Sequence, residues 1–485
     1  MSDAPRVTAG AAVLAGTPAI GRDWLVAVLL SLAACIYYAL LLSAGSGGFF
    51  AALPHGTVFN SMALHLLDGR FDVDPASIGD EGFVRNGAVY AYFGILPALV
   101  RLPLLRSAEF AATDFTRLGC LAAVGMMALF KTLSVLTIAR RATAASGFLT
   151  AALLAVLLAG GAQVQFLRPS IFQEAALWAD ACAAIFVWLT VCGWVGEAGF
   201  SRRLLLGMAV SAGFCLLARV STAVGLYAAL GLLGGWLAWR GRHAGRLRQT
   251  LARLALPLAV ACAFAAAVGF VNYARWGNPV VFADLSRQII ALTQHPDRIA
   301  RLHAYGEFNP IRLAYAFGYY FVPVWIWPDG AGGLLWSVFR DRVFDSVELP
   351  PGSLFVSEPL LFGLAVLALV RTARRRNSSS PAPVLPVLAG LAIPPLLIMA
   401  AIALAFRYRL EFYPFLELAA LVGFAELASD ARLGAKARGW IAAGVIVSVV
   451  AAQAMWVLTM LSPFGPAQSV VGPGGVTVFY LSEFM

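Results

Sequence analysis

The sequence predicts an all-α polytopic membrane protein with about eleven transmembrane helices, a cytoplasmic N-terminus and two large extracytoplasmic loops. Three observations predict it. Of the 485 residues 60% are hydrophobic and only 12% charged, with a mean hydropathy of +0.80, well outside the range of soluble domains. Apolar runs of roughly 20 residues recur along the chain, each long enough to cross a bilayer. The 35 Lys+Arg residues exceed the 25 Asp+Glu but gather in short clusters between those runs. That is the positive-inside pattern, and it argues against nucleic acid as a partner.

Residues 1–23 read as a polar cytoplasmic tail. Trp24 to Ser43 is longer than the apolar region of a signal peptide, so it is expected to stay as an anchor. Further spans are expected at Arg117–Ala139, Ser146–Phe166, Ile171–Val195, Leu204–Ala218, Val220–Trp239, Leu254–Ala274, Phe355–Val370, Leu385–Phe406, Leu410–Ala428 and Trp440–Leu461. With an internal N-terminus the clusters at Arg140, Arg202, Arg240 to Arg253, Arg371 to Arg376 and Arg432 to Arg438 all become cytoplasmic. This holds only if Val89 to Leu105 does not cross. Its Pro97, Arg101 and Pro103 suit a helix lying along the outer interface. The chain then divides into the tail, one membrane domain over 24–461 with outer loops 44–116 and 275–354, and an outer tail over 462–485 carrying the strand-like VTVFYL. Asn377 to Pro386 reads as a flexible cytoplasmic linker. The six cysteines all fall in or beside apolar runs, which indicates packing and neither disulfides nor a metal site.

The segment from His65 to Pro103 carries Asp68, Asp72, Asp74, Asp80 and Glu81 with Tyr90 and Tyr92. The second outer loop brings Asp284, His295, Asp297, Glu307, Tyr319, Tyr320 and the pair Trp325 and Trp327. Arginines that break the positive-inside rule stand at outer turns: Arg168, Arg219, Arg407 and Arg409. A planar guanidinium suits bidentate phosphate binding, so together they would hold a lipid phosphate or pyrophosphate. Alternatively each snorkels to headgroups alone. The loop acids allow two readings as well, helix-capping turns or a carboxylate that takes a proton from an acceptor hydroxyl while cations stabilise a phosphate leaving group. Glu174 is expected to open outward near Arg168, as a metal ligand, a base or that arginine's partner. Asp180 lies deeper, where a carboxylate needs a partner, and Lys131 at similar depth is the expected one.

Several stretches resemble the GT-C class of multi-spanning glycosyltransferases, above all bacterial relatives of protein O-mannosyltransferases and lipopolysaccharide sugar transferases. They are HLLDGRFDVDP after the first span, NGAVYAYFGILPALVRLPL, QFLRPSIFQEAALWAD, LLARVSTAVGL and RYRLEFYPFLELAALVGF. The resemblance implies a hexosyl- or pentosyltransferase of the bacterial inner (cytoplasmic) membrane, moving sugar from a polyprenyl-phosphate donor to a lipid or cell-envelope glycan acceptor on the outer side. It implies Arg168, Arg219, Arg407 and Arg409 on the donor phosphate, and Glu174 positioning that phosphate, directly or through a divalent metal (Mg or Mn). Tyr90, Tyr92 and Trp325 would stack on a sugar. The family's acidic residue just after the first span is missing here, where AALPHGTVFN carries His55. The base is then Asp72, Asp80, Glu81 or Asp68, or His55 replaces it. Otherwise the chain is a non-catalytic translocase of lipid-linked sugars or an envelope-assembly subunit.

Overall fold

The computed structural model describes residues 17–107, 109–141, 147–322, 342–347, 352–374, 383–428 and 434–461. The first long helix, α1 (Thr17–Leu42), leads into the first long loop. The loop carries α2 (Val58–Leu67), α3 (Pro75–Ile78), a hairpin of β1 (Phe83–Arg85) and β2 (Ala88–Tyr90), and α4 (Leu96–Leu99). The bundle continues through α5 (Thr116–Ala139), α6 (Gly147–Ala159), α7 (Ile171–Val195), α8 (Arg202–Ala218), α9 (Val220–His243) and α10 (Leu247–Trp276). A second loop holds α11 (Ile289–Thr293), α12 (Pro296–Tyr305), α13 (Leu313–Phe321) and β3 (Ser346–Val347). After it come α14 (Leu354–Ser357), α15 (Pro359–Arg374), α16 (Val384–Leu391), α17 (Ile393–Ala400), β4 (Ala403–Leu404), α18 (Tyr413–Ala428) and α19 (Ala435–Leu461).

Seven described helices are long and apolar enough to cross a membrane: α1, α5, α6 with its extension to Phe166, α7, α9, α10 and α19. The chain is a mostly helical, polytopic membrane protein. Three more expected spans are apolar helices of 17 (α8), 16 (α15) and 16 (α18) residues. The span expected over Leu385–Phe406 is broken into α16 and α17, because Pro394 and Pro395 offer no amide to continue the first helix. The tail over 462–485, most of the linker beginning at Asn377, and Trp325 and Trp327 lie outside the described residues.

The helix at the centre is α7, with 83% of its apolar window buried against 22% for α1 and for α19. Ser170 starts it, its side chain accepting from the Gln173 amide. Around it pack α5, α8 and α9, with α1 outside α5 and α10 outside α8. The pair α15 and α18 touches so closely that a Cβ on Gly423 would stand 2.0 Å from the Leu364 carbonyl oxygen.

Contacts tie several helix ends together. The start of α1 meets the end of α5 through an Asp23 to Arg140 ion pair, Arg253 donates to Phe200 O at 3.0 Å, and Arg371 donates to Glu426 O at 3.1 Å. At the opposite end Arg85 of the first loop donates to Arg275 O at 2.7 Å. The first loop therefore returns to the end it left. Its apolar stretch, however, is not the interfacial helix the sequence suggested. It is β2, a one-turn α4 and a 3₁₀ turn over Leu102–Arg106, with Arg101 between them 2% exposed and folded inward.

The buried pairs differ from expectation too. Lys131 bonds Glu417 of α18 at 2.6 Å and Ala162 O at 3.3 Å, so its direct partner is Glu417 and not Asp180. The sequence places Lys131 and Asp180 at one depth but carries no information on how α5 and α7 are rotated, and Glu417 lies nearer. Lys131→Met would strand Glu417 without its cation in the bundle. The variant is expected to melt well below the wild type in detergent, and an unchanged transition would refute a structural role for the pair.

Candidate active site

Three pieces of chain meet at the loop end of the bundle. The first is the turn Gly79–Glu81 followed by the hairpin. Asn86 (φ 53°) and Gly87 (φ 78°) form its two-residue turn, the arrangement Asn-Gly favours because both residues take left-handed backbone. Gly79 is also left-handed, at φ 58°, and its missing side chain lets the His55 ring close in: a Cβ there would stand 3.0 Å from His55 Cε1.

His55 itself has φ 60°, an uncommon value for a residue with a side chain. Its turn is clamped from below. Asp114 accepts from Leu53 N and Thr116 N, both at 2.8 Å, and Thr116 Oγ1 donates to Gly56 O at 3.3 Å. Arg101 reaches the same carbonyl at 3.4 Å, Asn60 Oδ1 at 2.7 Å and Glu174 Oε2 at 2.5 Å.

The second piece is the second long loop, which zips onto the first. Ile289 N donates to Gly82 O at 2.8 Å, Gln288 Nε2 to Glu81 Oε2 at 3.0 Å, and Gln294 Nε2 to Asp80 Oδ2 at 3.3 Å. The third piece joins the α8–α9 junction to the 3₁₀ turn Phe406–Phe412. There Arg219 Nε bonds Glu411 Oε1 at 2.5 Å, and Ser221 and Thr222 hold the same carboxylate at 2.5 and 2.7 Å. The guanidinium carbons of Arg219 and Arg407 stand 5.0 and 5.2 Å from the Tyr408 ring centre, and Arg407 lies 4.6 Å from that of Phe172.

Tyr92 sits between the first and third pieces. Burial pushes its phenol well above the usual range, and the charges acting on it come from Tyr408, Arg407, Glu81 and Arg219. Glu81 is half-buried and its carboxyl is raised, first by burial and then by Asp80, against the opposing pull of Arg407, His55 and Arg298. A carboxylate raised in this way is chemically suited to accept a proton, and the two arginines that act on it are suited to an anion.

The other expected residues are placed as follows. Asp68 is exposed at the end of α2. Burial alone would raise Asp72, but Arg70 and His65 outweigh it and hold its carboxyl below the usual range, in a local ion pair. Arg409 is buried and donates to Gly352 O, and Arg168 donates to Thr459 O of α19. Tyr90 packs 5.8 Å from the Trp276 ring. Glu174 does not open outward beside Arg168. It is fully buried, and its ion-pair partner is Arg101 of the first loop. Of the residues that complete the site, Tyr408 stood inside the quoted RYRLEF stretch, whereas Gln288 carried no signal at all. Among the described residues no three His, Cys, Asp or Glu side chains converge to hold a metal, and Glu174 is committed to Arg101. A Mg or Mn centre on Glu174 does not fit this donor set.

No family model and no curated protein matches the chain. Among solved structures, the oligosaccharyltransferase of Archaeoglobus fulgidus in its apo form matches with 14% identity and a TM-score of 0.48, over 90% of this chain and 58% of that one. The archaeal oligosaccharyltransferase AglB from the same organism, in complex with an inhibitory peptide and a dolichol-phosphate, matches with 12% identity and a TM-score of 0.47, over 91% and 57%. The chain matches both at low sequence identity. It spans less than three-fifths of the length of those two structures.

Proposed function

We propose that this chain is a membrane glycosyltransferase that moves a hexosyl or pentosyl unit from a polyprenyl-phosphate donor to a hydroxyl of a lipid or envelope glycan, at the outer face of a bacterial inner membrane. The observation that carries the reading is the meeting of Glu81 with Arg407, Arg219 and Tyr92 where the two loops close together. Glu81 accepts the proton of the acceptor hydroxyl, and the freed oxygen attacks the anomeric carbon. The bond from that carbon to the phosphate oxygen breaks, and polyprenyl phosphate leaves.

Arg219 is held at Nε by Glu411, which turns its two Nη groups to the leaving phosphate, and Arg407 adds the second charge. Tyr92 keeps its proton and serves as a hydrogen-bond donor or a stacking face. His55, pressed on Gly79 beside Glu81, steadies the ionised carboxylate. The structure offers Asp68, Asp72, Arg168 and Arg409 other partners or open solvent, so Glu81 with Arg219 and Arg407 is the assignment adopted.

The test is transfer of labelled sugar from a panel of polyprenyl-phosphate sugars to envelope lipids by purified protein. Arg219→Ala and Arg407→Ala are each expected to weaken donor binding by about 10- to 100-fold, the loss of a charge-assisted contact. Donor binding that depends on Arg219, with no transfer from any donor in the panel, would instead support a translocase. That second reading is favoured by the charged groups Lys131, Asp180 and Glu417 inside the bundle, where transporters keep their coupling residues.

A further inference from the structure

We infer that the end of the bundle away from the two loops carries a docking surface for anionic phospholipid headgroups, formed where α8, α9 and α10 bring six arginines together. The inference stands apart from the reaction proposed above. Arg219 of the candidate site follows α8 and precedes α9, and Trp276 at the end of α10 packs 5.6 Å from the Phe83 ring of the hairpin. The start of α8, the end of α9 and the start of α10 therefore lie at the opposite end of the bundle.

These three ends touch. Arg253 of α10 donates to Phe200 O, just before α8, at 3.0 Å, and a Cβ on Gly241 of α9 would stand 2.5 Å from Thr250 Oγ1 of α10. On them stand Arg202 and Arg203, Arg240 and Arg242, and Arg246 and Arg248, all exposed. Between residues 196 and 253 the sequence has one acid, Glu197. Among the described residues none of the six arginines forms an ion pair with a carboxylate, whereas Arg140 pairs with Asp23 and Arg371 stands 4.0 Å from Glu426. Like charges crowded beside hydrocarbon repel one another, and salt screens them only in part. Anions from outside the chain relieve that repulsion.

Two observations make that anion a lipid. The first is depth. The 30 residues of α10 span about 45 Å at 1.5 Å per residue, the thickness of a bilayer with both headgroup layers. With Trp276 at one surface, Arg246 and Arg248 stand at the phosphate level of the other. Trp236 and Trp239 come just before Arg240, where interfacial tryptophans belong, and the Arg240 guanidinium carbon lies 5.1 Å from the Trp236 ring centre. The second is the surface leading away from the arginines. Leu232 and Trp239 of α9 are 46% and 59% exposed, and Leu251 and Leu258 of α10 are 50% and 41% exposed. Each pair is two helical turns apart and so shares a face, which makes an apolar stripe beside the charges. An acyl chain on such a stripe keeps its phosphate among the arginines, a gain that no soluble anion has.

In the test, full-length protein in detergent is titrated with phosphatidylglycerol or with phosphatidylcholine of the same chains, and bound lipid is counted by native mass spectrometry. Phosphatidylglycerol is expected to bind saturably and in preference to phosphatidylcholine. Two double variants, Arg240→Gln with Arg242→Gln and Arg246→Gln with Arg248→Gln, are each expected to weaken it by about 30-fold, roughly fivefold for each arginine removed. These side chains are exposed, so the variants are expected to melt with the wild type. Arg106→Gln, exposed on the first loop, removes charge at the other end and is expected to leave binding unchanged. Equal binding of the two lipids, wild-type affinity in both double variants, a matching loss in Arg106→Gln, or displacement of the lipid by inorganic phosphate at constant ionic strength would each overturn the assignment.

Discussion

Glu81→Gln is expected to lower glycosyl transfer by about 10²- to 10⁴-fold while leaving donor affinity near that of the wild type. The amide keeps the shape of the side chain and its contact with Gln288 but cannot take a proton, so the loss falls on the chemical step. The pH profile separates this from a packing defect. A base works only when ionised, and burial raises the carboxyl of Glu81 above its ordinary value. The acidic limb of kcat/KM therefore lies above the value near 4.3 of an unperturbed glutamate, and activity falls as pH drops through it. Glu81→Asp should retain such a limb with reduced activity, and Glu81→Gln should lose it. Full activity in Glu81→Gln would return the role of base to Asp80 on the same turn or to His55, whose ring packs against that turn. Asp72→Asn is the internal control: tied to Arg70 and His65, it is expected to leave the limb unmoved.

The two outcomes also show where the sequence was informative. Hydropathy and the basic clusters sufficed for a helical membrane protein, and for which ends of the helices lie together, because burial and charge are local properties of each run. They singled out the arginines at helix turns as a group, and the loop acids as a group. Choosing within each group needed side-chain direction. Arg407 and Arg409 are two residues apart on one 3₁₀ turn, so one lines the site and the other is carried inward to Gly352. Glu81 and Asp72 were indistinguishable in composition, but only Glu81 is covered by the second loop. The hairpin was legible and was passed over. Asn86-Gly87 between short β-branched and aromatic stretches is a strong turn signal, but the apolar residues after it read as a helix.

The largest stability effect is expected at Arg101 and Glu174, which the sequence set apart as an interfacial residue and an outward-facing ligand. Both are at most 2% exposed and bonded at 2.5 Å between the first loop and the central helix α7. Arg101→Met leaves an unpaired carboxylate in the bundle, and the cost of stranding a buried charge is about 3–5 kcal/mol, enough to unfold a marginal protein. Glu174→Leu strands the guanidinium and should cost as much. The double variant, which leaves neither charge, is expected to recover much of that loss, since two apolar side chains of similar volume replace a pair whose desolvation nearly cancels its attraction. Thermal unfolding of the four proteins in one detergent decides it: equal losses in single and double variants would mean that the pair acts through packing alone. Activity then reports the pair's second role. Arg101 also donates to Gly56 O, next to His55. A double variant that folds but transfers sugar slowly, with donor affinity kept, would show that this buried pair holds the His55 turn against Glu81.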